Sequence, residues 1–203
     1  MIEEFIGLLT KDWGVKIDNP LYISNTYQVT VKEIVDNLYE FKKNREEKKI
    51  SNVSEKSFSQ RLYSTYLTYL PKEQFKYVVE MNKDRRGCFA ELFKTKERGQ
   101  ISINITKPGI TKGEHWHHSK NEKFVVVYGK GWIRLRQIHS CKIVDFHVSG
   151  EKIEVIEIPP GYTHNIINEG ETDLITIIWA NENFCKENPD TYFLKVESDG
   201  GTE

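Results

Sequence analysis

Hydrophobic and polar positions follow two different rhythms along this chain, and the change falls near residue 80. In the first part the apolar residues recur at helical spacing: Ile2, Phe5, Ile6 and Leu9 open the pattern. Thr30 stands three positions before Glu33, the arrangement of a capping box, and Ile34, Leu38 and Phe41 continue one apolar stripe behind it. Lys42 to Lys49 is a run of mixed charge that reads as a solvated helix end and loop. Arg61 to Leu70 is rich in aromatic residues, stops at Pro71, and predicts a short packed helix.

Beyond residue 80 the period falls to two. Gln100 to Thr106 and Trp132 to Arg136 alternate, while Phe124 to Tyr128, Ile153 to Ile158 and Leu174 to Trp179 are β-branched or aromatic runs. Gly87, Pro108-Gly109, Gly129-Lys-Gly131, Ser149-Gly150, Pro160-Gly161 and Glu169-Gly170 punctuate them at hairpin spacing. Many short antiparallel strands predict a mainly β fold, a jelly-roll barrel, carrying an amino-terminal helical appendage. The expected division is a helical segment over 1–78 and a barrel domain over 79–203. Ser198 to Glu203 reads as a frayed tail.

Composition narrows the class more than it identifies it. The 203 residues are 38% hydrophobic and 12% aromatic, enough for a core, and the net charge is −1. Lysines are interleaved with glutamates, so the basic face that nucleic-acid binding requires is not expected. No apolar run is long enough for a membrane span, and the acidic start Met1-Ile-Glu-Glu-Phe5 is unlike a secretory signal. Cys88, Cys141 and Cys185 are odd in number and widely spaced, so a disulfide framework is not expected. A cytoplasmic protein with three buried cysteines is the expectation.

The candidate chemistry lies in the second part. His115 and His117 are two apart, so on a strand both imidazoles would leave the same face. Glu122 opens the apolar run Phe124 to Tyr128, where an inward carboxylate without a partner would be costly. His164 follows Pro159-Pro-Gly161-Tyr-Thr. Three imidazoles and a carboxylate brought to one point suit a divalent cation with a position open for substrate. By ligand type alone that cation is zinc, iron(II), manganese, nickel or copper. Asp84-Arg-Arg86-Gly87-Cys-Phe89-Ala-Glu91 carries a guanidinium, whose planar fork suits a diphosphate, although the same residues read equally as a β-turn at Gly87. Arg134 and Arg136 share one strand face, inward or outward. His118, His139 and His147 read as surface residues.

These spacings also resemble a known family. Gly109, His115, His117, Glu122 and Gly129, followed by Pro159, Gly161, His164 and Asn168, reproduce the two signatures of the cupin superfamily, except that Ile153 stands where the second usually opens with glycine. The run from Ile101 to Phe124, with Val148 to Lys152 and Gly161 to Ile166, is similar to the carboxy-terminal cupin domain of CapF-type capsular-polysaccharide enzymes. The likeness runs from about Tyr22 to Lys195. In that family a short-chain dehydrogenase/reductase domain precedes the cupin. The resemblance implies Zn2+ as the metal and a UDP-linked 4-keto-6-deoxy amino sugar as substrate. The implied reaction is C3 epimerisation on the route to UDP-N-acetyl-L-fucosamine, by a homodimer. Residues 1–78 look like the end of the reductase domain, whose nucleotide-binding part is missing. Gly129-Lys-Gly131 lies between strands and opens no helix, so no NADPH site is expected here, and a separate reductase domain or chain would supply that step.

The resemblance places Arg86, Phe89 and Glu91 at the nucleotide, with Arg134 and Arg136 as possible wall contacts. Tyr162, beside His164, and Tyr128, expected to point inward on the Glu122 strand, are the candidates for proton transfer. Two other readings stay open at this point: a non-catalytic sugar-nucleotide-binding or regulatory barrel, and a metal-dependent dioxygenase.

Overall fold

A computed structural model describes residues 26–197; the expected helix around Ile2 to Leu9 and the tail from Ser198 lie outside them. The chain forms two compact units, one comprising the residues up to Phe41 with Val53–Tyr69, the other Lys42–Asn52 with everything from Leu70 onward. The units thus interleave in sequence, where a single cut at 78/79 was expected. Lys49 forms an isolated parallel bridge with Lys94, and Ile50 N donates to Lys94 O at 2.7 Å, holding the 42–52 segment within the second unit.

Helix α1 spans Val31–Glu46, its residues up to Phe41 belonging to the first unit, and α2 spans Phe58–Thr68 within that unit. The capping box forms as its spacing requires: Thr30 N donates to Glu33 Oε2 at 2.6 Å and Glu33 N to Thr30 Oγ1 at 3.2 Å. Phe41, at the end of the apolar stripe, is buried against Tyr63 and Tyr66 of α2, with ring centroids 4.9 and 5.7 Å away. Ser57 caps α2 by accepting from Gln60 N, and the helix ends before Pro71. Tyr39 and Lys43 have the Tyr-x-x-x-Lys spacing of a reductase catalytic pair, but both side chains are solvent-exposed on α1. Among the described residues no helix is long and apolar enough to cross a membrane.

The second unit is the expected double sheet. Its strands are β1 (Asn82–Asp84), β2 (Gly87–Lys94), β3 (Gln100–Thr106), β4 (Thr111–Trp116), β5 (Glu122–Tyr128), β6 (Lys130–Gln137), β7 (Ile143–Ser149), β8 (Val155–Ile158), β9 (Tyr162–Asn168), β10 (Leu174–Ala180) and β11 (Tyr192–Phe193). All pair antiparallel, in the orders β1-β2-β3-β10-β5-β8 and β11-β4-β9-β6-β7. This interleaved order is that of a cupin jelly roll. Gly129 alone connects β5 to β6, with Lys130 and Gly131 already on β6, so this glycine pair joins two strands and opens no helix.

Period-two alternation sends Phe124 and Val126, Ile133 and Leu135, Ile156 and Ile158, with Val148, Ile166 and Leu174, into one buried cluster. That cluster fills one half of the barrel. The other half, at Glu122, Gln100 and Ala180, is open. On β3 the alternation has an unusual sense: Gln100, Ser102, Asn104 and Thr106 are buried while the intervening isoleucines are only half-buried. The cysteines divide as well, for Cys88 is buried but Cys141 and Cys185 are exposed at loop positions, against the expectation of three core residues.

Leu174 is fully buried at the centre of the cluster. Leu174→Ala is expected to cost about 2–5 kcal/mol, read as a lower urea midpoint at unchanged slope.

Candidate metal centre

Three of the four candidate ligands come from one sheet or its margin, and the fourth from the other sheet. His115 sits near the end of β4 and lies opposite His164 of β9, while Glu122 opens β5. His117 lies one residue beyond β4, in the connection to β5. A bulge makes this meeting possible, since the β4–β9 register shifts between Gly113 and His115 and Glu114 adopts φ +63°. Gly113, at φ +101°, passes so close to β9 that a Cβ there would lie 2.7 Å from His164 O. The Glu114 carboxylate anchors the bulge by accepting from Asn165 Nδ2 at 2.8 Å and Val196 N at 2.6 Å.

The side chains of His115, His117, Glu122 and His164 converge so that one ligand atom from each lies within 4.8 Å of the others. Glu122 Oε2 is 3.4 Å from His117 Nε2 and 3.3 Å from His164 Nε2. Those separations are roughly the edge of a tetrahedron built on ligand bonds of about 2.0–2.1 Å. All three atoms are buried and, among the described residues, have no hydrogen-bond partner. Buried polar atoms are rarely left so, and a divalent cation would satisfy all three at once. The donor set therefore fits a metal.

Electrostatics reinforce this. Burial alone would raise the Glu122 carboxyl, but the His117 and His164 rings outweigh burial and hold it well below the ordinary carboxylate range. Burial, followed by the His164 and His117 rings, depresses His115 from 6.5 to about 4, leaving a neutral imidazole at neutral pH. The backbone carbonyl of Asp190 lies 2.5 Å from His117 Nδ1, which directs the ring's Nε2 toward the cluster. The Asp190 carboxylate accepts from the backbone N–H groups of His118, Ser119 and Lys120 at 2.9, 3.0 and 3.0 Å, and these bonds hold it far below its usual value against the opposing effect of burial. Asp190 thereby ties the ligand-bearing connection to the carboxy-terminal segment.

The cluster lies in the wall of a cavity of about 650 Å³. Arg86, Phe89 and Glu91 line it as well. Arg86 also closes the expected turn: its backbone N–H and Nε bond the Asp84 carboxylate at 2.7 and 2.9 Å. The two arginines of β6 are elsewhere. Ile133 and Leu135 take the inward positions, so Arg134 and Arg136 face out, where Arg134 pairs with Asp145 and Glu197. Arg136 donates to the carbonyls of Val196, Ser140 and Lys195. They clamp the chain end and touch no cavity. Tyr128 is at the far end of β5, about 20 Å of strand from Glu122, and 52% exposed, so its expected inward direction is corrected. The bulge in the β5–β10 pairing falls beside it, between Ile175 and Thr176, and ends the inward alternation. Tyr162 packs on the apolar cluster and does not line the cavity. His118 is exposed, its ring against Trp116 and Tyr192.

Sequence reading missed Lys112, Lys120 and Asp190. Lys120 is buried in the cavity wall, with Nζ 3.0 Å from Pro189 O and 3.9 Å from Glu182 Oε1. Its position between His117 and Glu122 was the available signal. Asp190 gave none, because its role depends on a backbone contact across 73 residues.

Residues 82–192 match the family described as "Polysaccharide biosynthesis C-terminal domain". The chain is 40% identical over 197 residues to the UDP-2-acetamido-2,6-beta-L-arabino-hexul-4-ose reductase of Pseudomonas aeruginosa, covering 96% of this chain and 53% of that protein. It is 50% identical to the capsular polysaccharide assembling protein CapF from Staphylococcus aureus, with a TM-score of 0.84 over 96% of this chain and 52% of that one. A structure of CapF with the inhibitor 3-isopropenyl-tropolone gives 50% identity and a TM-score of 0.83, over 96% and 56% of the two chains. The chain thus spans about half the length of these relatives.

The depressed His115 gives a pH dependence. An unfolded histidine takes its proton near 6.5 and the folded ring only near 4, so stability present at neutral pH is lost as pH falls through that window. Thermal unfolding of metal-free protein from pH 7 to pH 4 should show a steeper loss for wild type than for His115→Gln.

Proposed function

This chain belongs to the polysaccharide biosynthesis C-terminal domain family, as the cupin domain of a CapF-type enzyme, and from that premise we propose that it is a metal-dependent sugar-nucleotide epimerase. Its substrate in this reading is a UDP-linked 4-keto-6-deoxy amino sugar, epimerised at C3 in capsular or surface polysaccharide biosynthesis. The observation that carries the proposal is the convergence of His115, His117, Glu122 and His164 in the wall of a cavity whose rim presents Arg86. The printed name of the Pseudomonas relative, a hexul-4-ose reductase, supports a 4-keto sugar nucleotide as the ligand class.

Epimerisation next to a ketone requires that a proton leave carbon while negative charge builds on the carbonyl oxygen. A divalent cation held by the four ligands, zinc in this reading, would supply Lewis acidity toward that oxygen. The chain's own residues bind the nucleotide and stabilise the developing charge. Arg86, its fork fixed by Asp84, offers the cavity rim a guanidinium suited to a diphosphate. Phe89 offers an apolar face beside it. Lys120, buried and tethered through Pro189 O, presents an ammonium group to developing anionic charge. The neutral His115 stays available as a ligand across the physiological range. Tyr128 and Tyr162 are given no proton-transfer role, since neither lines the cavity. We read the chain as cytoplasmic, homodimeric, and dependent on a separate reductase domain or chain for any NADPH step.

Two measurements test this. Protein purified without chelator should carry about one divalent cation per chain and catalyse solvent deuterium uptake at C3 of a UDP-4-keto-6-deoxy-hexosamine. His117→Ala should lose both by at least about a hundredfold, and binding of the nucleotide sugar without exchange in wild type would leave only a binding module. Asp190→Ala, which frees the 118–120 amides, should weaken the cation about 10–100-fold in a chelator competition while the ligands remain.

A further inference from the structure

The inner face of the six-stranded sheet has a fixed left-to-right order, and one strand of it has no assigned role. Directly paired residues share a face. Reading across, Gln100 of β3 and Glu122 of β5 flank Ala180 of β10. Glu91, Ser102, Ile178 and Phe124 form the next row, and Phe89, Asn104, Thr176 and Val126 the one after. Phe89 and Glu91, the proposed nucleotide contacts, are therefore on the strand beside β3. The metal ligand Glu122 lies two strand spacings beyond β3, about 10 Å away. Gln100, Ser102 and Asn104 occupy the interval, and all three line the cavity.

Their chemistry is as distinctive as their position. Strands β5, β6 and β8 each fill their inward positions beyond the ligands with apolar side chains, whereas β3 buries amides and hydroxyls. Burying such groups is unfavourable unless they are bonded. Part of that bonding is internal: Gln100 Nε2 donates to Ser102 Oγ at 3.2 Å and Asn104 Nδ2 to Thr106 Oγ1 at 3.2 Å. Both amide orientations are locked from outside. Phe184 N donates to Gln100 Oε1 at 2.9 Å, and the Lys112 ammonium, which can only donate, bonds Asn104 Oδ1 at 2.9 Å. Each amide nitrogen thus retains one N–H and Ser102 retains its O–H. Gln100 and Asn104 bring two donors to the cavity between the nucleotide side and the metal side, above the apolar floor of Ile178 and Ala180, and the almost fully buried Ser102 hydroxyl positions Gln100 from beneath.

We infer that Gln100, Ser102 and Asn104 form the subsite that reads the oxygen substituents of the hexose, its hydroxyls and acetamido carbonyl, while its nucleotide lies toward β2 and its reacting carbon toward Glu122. This rests on the sugar-nucleotide reading above and adds to it which strand distinguishes a sugar nucleotide from a bare nucleotide. The interval of about 10 Å accommodates one pyranose ring with its substituents. Substrate discrimination would then arise on β3, whose donors would be left unpaired by a ligand lacking the sugar.

Isothermal titration of the metal-loaded full chain with UDP and with UDP-N-acetylglucosamine tests the assignment. Wild type should bind the sugar nucleotide more tightly than UDP. Ser102→Ala, which also frees Gln100 Nε2, should lower the melting temperature by a few degrees and weaken UDP-N-acetylglucosamine roughly three- to tenfold while leaving UDP affinity and metal content unchanged. Ser102→Val, which also intrudes on the cavity, should weaken it further. Thr176→Val serves as the control, because Thr176 is buried in the neighbouring strand but does not line the cavity, and it should change neither affinity. A wild-type preference for the sugar nucleotide that survives both Ser102 variants would overturn the subsite alone. Equal weakening by Thr176→Val would assign the effect to barrel packing and overturn it too. Failure of wild type to bind either compound would instead overturn the sugar-nucleotide reading, and the subsite with it.

Discussion

A carboxylate enclosed by three imidazoles, its inner oxygen without a hydrogen-bond partner among the described residues, is the constraint around which this barrel is arranged. Glu122 opens a strand whose next inward residues are Phe124 and Val126, so its charge is carried into a setting that would ordinarily expel it. The His117 and His164 rings favour its charged form, yet among the described residues that oxygen has no hydrogen-bond partner. Such a group persists where an ion compensates it. The surrounding structure is correspondingly elaborate. Gly113 and Glu114 distort β4 to set His115 against His164, and Asp190 reaches across the sheet to orient His117 and hold the loop behind it.

The carboxy-terminal segment belongs to that same support. Leu194 N donates to Glu114 O at 2.9 Å and Val196 N to the Glu114 carboxylate, while Arg134 and Arg136 hold Glu197 and the carbonyls of Lys195 and Val196. Residues 190–197 therefore fasten the ligand-bearing strand from outside the barrel. The arginines, which looked like substrate contacts, stabilise the wall behind the site. An Arg is suited to that task because its fork satisfies several carbonyls from one rigid group.

The barrel separates two demands that conflict in a small protein. Stability calls for a close-packed apolar interior, and recognition of a polar ligand calls for buried donors facing open space. Here the apolar cluster from Val126 to Leu174 occupies one half, and the other half carries the ligands and the polar face of β3. The same strands serve both, β5 passing from Glu122 into Phe124 and Val126, β9 from His164 into Ile166.

Some of this was legible in the sequence because it is local. The Thr30–Glu33 box needs only two side chains a turn apart, and the period-two runs mark strands irrespective of their neighbours. Glu122 and His164 lie on regular strands, where spacing determines direction, whereas His115 reaches the cluster through a bulge in β4 that spacing does not reveal. Alternation, however, separates two faces without saying which is inside. That choice depends on cross-strand partners: Ile133 and Leu135 turned Arg134 and Arg136 outward, and β10 turned the polar side of β3 inward. A bulge beside Tyr128 broke the alternation, and Cys141 and Cys185 came to loops that composition does not reveal. The identities of the four converging side chains and the strand pattern thus came from sequence. The long-range contacts that bring Asp190 to His117 and set β3 between β2 and β10 along the cavity were decided by tertiary structure alone, because residues far apart in the chain meet only when the sheets close.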